Sequence, residues 1–427
     1  MKWRVKQAGG QSWHTHLKWL RPGLGVKRWL VLLAAGVGCL SLGGALAFRA
    51  FYPLPTYFYY LTLQFLPRLL RVALFVMVGL GVVGFSLRRL NQTLLKPFVE
   101  DAYTSLPAIL YDHRRRGRGP KIVVIGGGHG QATVLRGLKA HTSNLTAIVT
   151  VADDGGSSGR LRHDLGILPP GDFRNCIAAL ADDESLVTRL FQYRFAGSTD
   201  LKGHSFGNLF IGAMAGITGS FESALKESSR VLAVQGRVLP STIQAVTLCA
   251  DIQHGQETPV RVRGESEIPE RRGRILRVIL EPAAPRAYPE AVRAILEADL
   301  VVIGPGSLYT SILPNLLVPE IAQALSAAHA AKAYVCNVAT QRGETEGYTA
   351  SNHIQALEQH LGRGVVTAAI INTDAPEMAL SEGVAWVEPD LDASGDLLVI
   401  REALADSPVS WRHDSEKLAQ VLMDLLK

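Results

Sequence analysis

The chain has 427 residues, more than a single compact core usually takes, and with 47% hydrophobic and 19% charged residues it is no disordered tail. Its net charge of +6 is unevenly held: residues 1–121 carry 18 Lys and Arg against three acids, a net of +15, and the remainder carries 26 against 35, a net of −9. The acidic remainder lacks the basic face that a phosphate-tracking groove needs, so nucleic acid is not an expected partner.

Residues 1–28 form a basic segment holding Lys2, Arg4, Lys6, Lys18, Arg21, Lys27 and Arg28 with no acid. Trp29–Phe48 is a run of 20 uncharged residues, enough at an α-helical rise to cross a bilayer core of roughly 30 Å. A second run, Val72–Leu87, is followed by Arg88, Arg89 and Lys96. Between them lies an aromatic stretch with Tyr52, Tyr57, Tyr59 and Tyr60, residues suited to a headgroup layer. Residues 29–90 thus read as a transmembrane helical hairpin with both ends in the cytoplasm, which predicts a cell-membrane location with the main domain on the cytoplasmic side. The basic start and Ala45-Leu46-Ala47 also fit a cleaved signal peptide, but the length of the run and the second one after it favour the hairpin. Residues 91–120, ending in Arg114-Arg115-Arg116-Gly117-Arg118, read as a basic juxtamembrane linker.

From residue 121 the texture changes, and 121–427 reads as one nucleotide-binding domain. A β-branched run over 121–125, a glycine turn Gly126-Gly127-Gly128-His129-Gly130, a helix over 131–139 and a strand over 146–151 make a βαβ unit. Helices follow near 174–182, 185–193, 207–216 and 220–231. Strands are expected near 243–248, 275–280, 300–303, 333–336, 365–371 and 397–400, and helices over 289–297, 318–328, 351–361 and 414–426. The predicted fold is α/β, a Rossmann-like doubly wound, mostly parallel sheet. The four cysteines, Cys39, Cys176, Cys249 and Cys336, have no CxxC spacing and read as reduced thiols.

The glycine turn alone also fits a tight βα connection with no ligand, because its spacing is GGGxG rather than GxGxxG. Its company raises its meaning. Asp153 and Asp154 follow the second strand, where carboxylates accept hydrogen bonds from ribose or hold Mg²⁺. Ser157, Ser158, Gly159 and Arg160 supply backbone donors, hydroxyls and a guanidinium suited to an anion. Gly304, Pro305, Gly306, Ser307, Thr310 and Ser311 follow one strand; Asn337, Thr340 and Gln341 follow another. In an open parallel sheet all four loops face the carboxyl-end crevice, which predicts a phosphate-bearing ligand. Asp172 reads as the cap of a helix, and His204, Ser205 and Asn208 stand near a helix start, His204 as a capped or exposed group rather than a catalyst.

In these stretches, together with Leu168-Pro-Pro-Gly-Asp-Phe-Arg-Asn175, Gly203-His-Ser-Phe-Gly-Asn208 and Gly343-Glu344-Thr345, the chain resembles the gluconeogenesis factor (YvcK) family of the CofD-like superfamily. The resemblance implies a regulatory protein that binds a UDP-sugar or other nucleotide, tied to carbon metabolism, cell shape and cell-wall precursor supply, and a homo-oligomer. It implies that Gly126–Gly130 and Gly304–Ser311 contact nucleotide, that Asn175 and Asn208 line the crevice, and that Asp153 and Asp154 sit near a phosphate, with Mg²⁺ in the transferase branch. Two alternatives stay open: an Mg²⁺-dependent transferase moving a phospholactyl-type group from a nucleoside diphosphate donor, and an NAD(P)-dependent oxidoreductase.

Overall fold

The computed structural model describes residues 37, 38, 41, 59, 60, 63–95, 114–181, 184–197, 201–374, 383–393, 397–406 and 411–427. The chain divides into two units, Met1–Arg115 and Arg116–Lys427. In the first, a helix α1 spans Arg68–Leu95. The first predicted membrane run lies outside the described residues apart from 37, 38 and 41; the second falls within α1. Among the described residues no helix is long and apolar enough to cross a membrane. The expected hairpin is therefore not supported. The uncharged part of α1, Val72–Leu87, is 16 residues long and bounded by Arg71 and Arg88, short of the about 20 a bilayer core asks for.

The second unit is built on a seven-stranded parallel sheet with the order β10-β9-β8-β7-β1-β2-β3. Its strands are β1 (Ile122–Gly126), β2 (Leu145–Val149), β3 (Arg237–Pro240), β7 (Leu300–Ile303), β8 (Ala331–Val335), β9 (Ala368–Asn372) and β10 (Leu398–Glu402). Strands β1, β2, β7 and β9 are buried at every residue. That is why they read as unbroken apolar runs rather than alternating ones: both faces of the sheet are covered. A second sheet, antiparallel in the order β5-β4-β6, holds β4 (Thr247–Gln253), β5 (Val260–Arg263) and β6 (Arg274–Glu281).

The helices of the second unit are α2 (Gly128–Leu138), α3 (Gly156–Leu165), α4 (Gly171–Leu180), α5 (Glu184–Gln192), α6 (Phe206–Thr218), α7 (Phe221–Val231), α8 (Glu267–Glu270), α9 (Pro289–Leu296), α10 (Leu313–Leu316), α11 (Pro319–Ala327), α12 (Ala350–Leu361) and α13 (Ser415–Asp424). Several starts follow from sequence. Pro289 and Pro319 open α9 and α11, where a missing N–H costs nothing. Ser205 caps α6 by accepting the Asn208 N–H, and Thr349 with Asn352 forms a reciprocal capping box on α12. Cys176, Cys249 and Cys336 are free and buried.

The chain moves outward from β1 through β2 to β3, makes the small sheet, then returns to β7 on the other side of β1. The crossover point lies between β1 and β7, the place where an open α/β sheet forms its ligand crevice. The glycine turn leaves β1 there, and the Gly304–Ser311 loop leaves β7 beside it.

Candidate functional site

A cavity of about 620 Å³ opens at this crossover. Gly127, Gly128 and Gly130 line it from β1, Pro305, Gly306, Ser307 and Ser311 from β7, and Asn337, Thr340 and Gln341 from the loop after β8. Three of the four predicted loops therefore meet on one crevice. The glycines are needed where backbone meets backbone. A Cβ on Gly130 would collide with the Pro305 carbonyl oxygen, and Gly128 has φ +65°, the left-handed region. Gly126 ends β1 just behind, its carbonyl accepting from Asn315 Nδ2 at 2.9 Å.

The β7 loop is held by side chains of the β8 loop. Asn337 grips Gly306 twice, accepting its N–H at 3.0 Å and donating to its carbonyl at 2.8 Å. Gln341 Nε2 donates to Ser307 Oγ at 2.7 Å. Behind them, residues Leu308–Ile312 form a π-helical turn, an irregularity common at functional sites. The Thr310 hydroxyl, buried rather than facing the cavity, donates to Glu344 Oε1 at 3.1 Å, and the Tyr309 N–H donates to Oε2.

The fourth loop forms a neighbouring polar cluster. Residues 156–165, expected as an anion loop, are the helix α3, with Ser157, Ser158, Gly159 and Arg160 in its first half. Asn208 Nδ2 donates to Ser157 Oγ at 3.1 Å and Ser158 Oγ at 3.4 Å, and Ser157 Oγ pairs with His204 Nδ1 at 3.0 Å. His204 is thus buried within a network, not an exposed group. Arg174 donates to Asn175 Oδ1 at 3.0 Å and to Ser205 Oγ at 2.7 Å. Arg160 donates to the Lys202 carbonyl at 2.9 Å, so its guanidinium holds a loop.

Asp153 and Asp154 go to different tasks. Asp153 accepts from Gly155 N–H at 2.9 Å. Asp154 accepts three bonds, from Glu265 N–H at 3.0 Å, Ser266 N–H at 2.9 Å and Ser266 Oγ at 2.8 Å. Asp154 thus braces the turn after β5, a task Asp153 does not share. Among the described residues no three His, Cys, Asp or Glu are grouped to hold a metal ion.

Asp172 connects the cluster to the crevice. It lies in the first turn of α4, whose N-cap is Pro170, yet its carboxyl accepts the Gly128 N–H at the start of α2. The expected cap serves another helix. Burial, then the charge of Asp153, pushes Asp172 up to about 7. Burial raises Glu344 to about 7, and burial followed by the charges of Asp153 and Glu344 raises Glu265 to about 8. These carboxyls are partly protonated near neutrality, which reduces the negative charge an anionic ligand would meet.

The crevice also holds residues no motif signalled. Arg342, Trp411, Arg412 and His413 line it, the Arg412 guanidinium lying over the Trp411 ring at 4.3 Å from its centroid. His413 is buried, and burial lowers its imidazole to about 4. His129 is lowered by burial and then by Arg412. Both imidazoles are therefore neutral at pH 7, and the cations of the crevice are its two arginines.

Residues 122–404 match the family described as 2-phospho-L-lactate transferase CofD. The chain belongs to the CofD family. Within it, a gluconeogenesis factor of Bacillus subtilis is 50% identical over 320 residues, covering 73% of this chain and 99% of that protein. A relative from Nostoc is 45% identical over 427 residues, covering 95% of this chain and 91% of its own. An X-ray crystal structure of a Bacillus halodurans protein superimposes with a TM-score of 0.67 at 42% identity, over 72% of this chain and 100% of the other. A second crystal structure from that organism, of a UPF0052 family member, gives 0.65 at 41% over 72% and 99%. This chain is thus a CofD-family protein of the gluconeogenesis factor type. Its first unit has counterparts in the Nostoc relative and lies beyond the length of the Bacillus ones.

Proposed function

We propose that the crevice binds a nucleoside diphosphate sugar of the uridine type, and that the protein acts by binding it, as a regulator tied to carbon metabolism, cell shape and cell-wall precursor supply. The observation that carries this reading is the meeting, at one sheet crossover, of two glycine-rich loops, the second held at Gly306 by Asn337, in a crevice that Arg342 and Arg412 also line. Amides of the first turn of α2 have no intrahelical acceptor, and its dipole favours an anion. Arginine forks suit phosphate oxygens, and Trp411 offers a flat face to a base or sugar. The cluster of Asp153, Ser157, Ser158, Asn175 and Asn208 beside it, buried apart from Asp153, supplies polar groups for hydroxyls.

A transferase reading has the family description in its favour, but the commitment of Asp154 to the 265–266 turn favours binding without a paired-carboxylate metal step. A homo-oligomer is part of the proposal through its relatives' resemblance alone. The test is calorimetric titration of the full chain with UDP-glucose, UDP-N-acetylglucosamine and NAD⁺, with and without Mg²⁺ and with product analysis in parallel. Binding of the UDP-sugars without turnover or Mg²⁺ dependence is expected; binding of NAD⁺ alone, or Mg²⁺-dependent consumption of the diphosphate, would overturn it.

A further inference from the structure

A second cavity, of about 570 Å³, opens between the start of β6, the Gly343–Tyr348 loop and one face of α12. It shares a single lining residue, Glu344, with the first. Its chemistry differs. There is no glycine loop at a helix start and no tryptophan. Instead Asn352, Gln355 and Gln359 repeat along α12 at helical spacing, so that they fall on one face. Asn352 is spent on the capping box. The amides of Gln355 and Gln359 make no hydrogen bond among the described residues, and each carries both donors and an acceptor. Across from them stand the paired hydroxyls of Tyr309 and Tyr348, 2.8 Å apart, and the carboxylate of Glu346, which accepts one N–H from Gly343 at 3.1 Å and retains further acceptor capacity.

The cation of this cavity is Arg274. It stands at the end of the run Arg271-Arg272-Gly273-Arg274, and among the described residues none of these three guanidiniums has a salt-bridge or side-chain hydrogen-bond partner. On the same small sheet, by contrast, Asp251 is bridged by both Arg261 and Arg277. One uncommitted guanidinium lining the cavity, that of Arg274, with open amides and an acceptor carboxylate beside it, matches a ligand that is anionic at one end and rich in hydroxyls along its length.

We propose that this cavity is a second binding site, for a small polyhydroxylated anion of the sugar phosphate or sugar acid type. Arg274 takes the charged group, and Gln355, Gln359 and Glu346 take the hydroxyls. The site is independent of the nucleotide reading, because apart from Glu344 the two cavities have no lining residue in common.

The experiment is calorimetric titration of the full chain with glucose 6-phosphate, gluconate and glucose. Arg274, Gln355 and Gln359 are exposed, so Arg274→Ala and the double variant Gln355→Ala/Gln359→Ala leave the core intact. We expect at least one anion to bind, with glucose weaker by about tenfold or more; the anion that binds names the charged group. Arg274→Ala should cost about tenfold in affinity and the double variant about threefold or more, whereas Arg412→Ala, in the first cavity, should leave the anion's affinity unchanged. Absence of binding by both anions, equal binding of glucose, indifference to Arg274→Ala, or loss in Arg412→Ala would each overturn the proposal. Failure of the UDP-sugar titration would leave it standing.

Discussion

Asn337 is the side chain on which the crevice depends most directly. It alone satisfies both backbone groups of Gly306, whose φ of +151° is open to glycine. Asn337→Ala leaves an N–H and a carbonyl without their partners and should lower stability by about 1–2 kcal/mol in denaturant unfolding, with UDP-sugar affinity falling by about tenfold. Gly130→Ala acts differently. The added carbon would overlap the Pro305 carbonyl oxygen, which is backbone and cannot rotate away. A loss of about 1–3 kcal/mol is expected, as for other overpacked sites. The raised carboxyls make a pH prediction. Asp172, Glu265 and Glu344 hold protons in the folded chain up to about 7 or 8, against ordinary values of 3.8 and 4.5. Through these carboxyls the folded state binds more protons than the unfolded one between those limits, and their contribution to stability falls as pH rises through that window, against the opposite contribution of the buried imidazoles below their ordinary 6.5. Urea unfolding of the wild type and of Asp172→Asn from pH 5 to 8 separates the two, because the variant keeps the imidazoles and loses one carboxyl: the wild type should lose more stability with rising pH than the variant does. Parallel pH profiles for the two proteins would contradict the assignment.

Among the elements, the parallel strands were the most legible. Burial on both faces leaves a continuous apolar run, and the run 300–303 coincides with β7. The helix α3 was not read, since Gly156 and Gly159 and its low apolar content resemble a loop. Gly159 is needed there for a local reason: it lies so close to the Asp154 carbonyl, at the entry to the helix, that no Cβ fits. Strand β3 is not legible, because four residues ending in proline give too short a pattern. The crevice was legible where loops follow strands. It was illegible at Trp411, Arg412 and His413, which reach it from a short segment before α13 with no motif of their own. The partners of Asp154 and Asp172 were hidden for the same reason: they are distant in sequence, and only the folded chain brings them together. Asp154 is the clearest case for test. As a tether from the start of α3 to the turn before α8, Asp154→Ala should cost about 1–3 kcal/mol whether or not Mg²⁺ is present. A cost that appears only in Mg²⁺ would return the residue to metal binding.

At the scale of the whole molecule, the unit Arg116–Lys427 carries its own core, both sheets and the crevice. The Bacillus subtilis relative, covered over 99% of its length by 320 aligned residues, has room for little beyond that unit. A fragment beginning at residue 116 should therefore unfold in a single cooperative transition and bind ligand with the full chain's affinity. Calorimetry of both species checks this, and a fragment that fails to fold would show that residues 1–115 complete the core.

The central claim is that the crevice between β1 and β7 holds a nucleoside diphosphate sugar. It is tested most directly by titrating UDP-N-acetylglucosamine into the wild-type chain and into Arg342→Ala and Arg412→Ala variants, whose side chains line that crevice without bracing the sheet. Saturable one-site binding to the wild type, weakened by about tenfold or more in each variant, is the predicted result. Binding of equal strength in all three proteins, or none in the wild type, would contradict it.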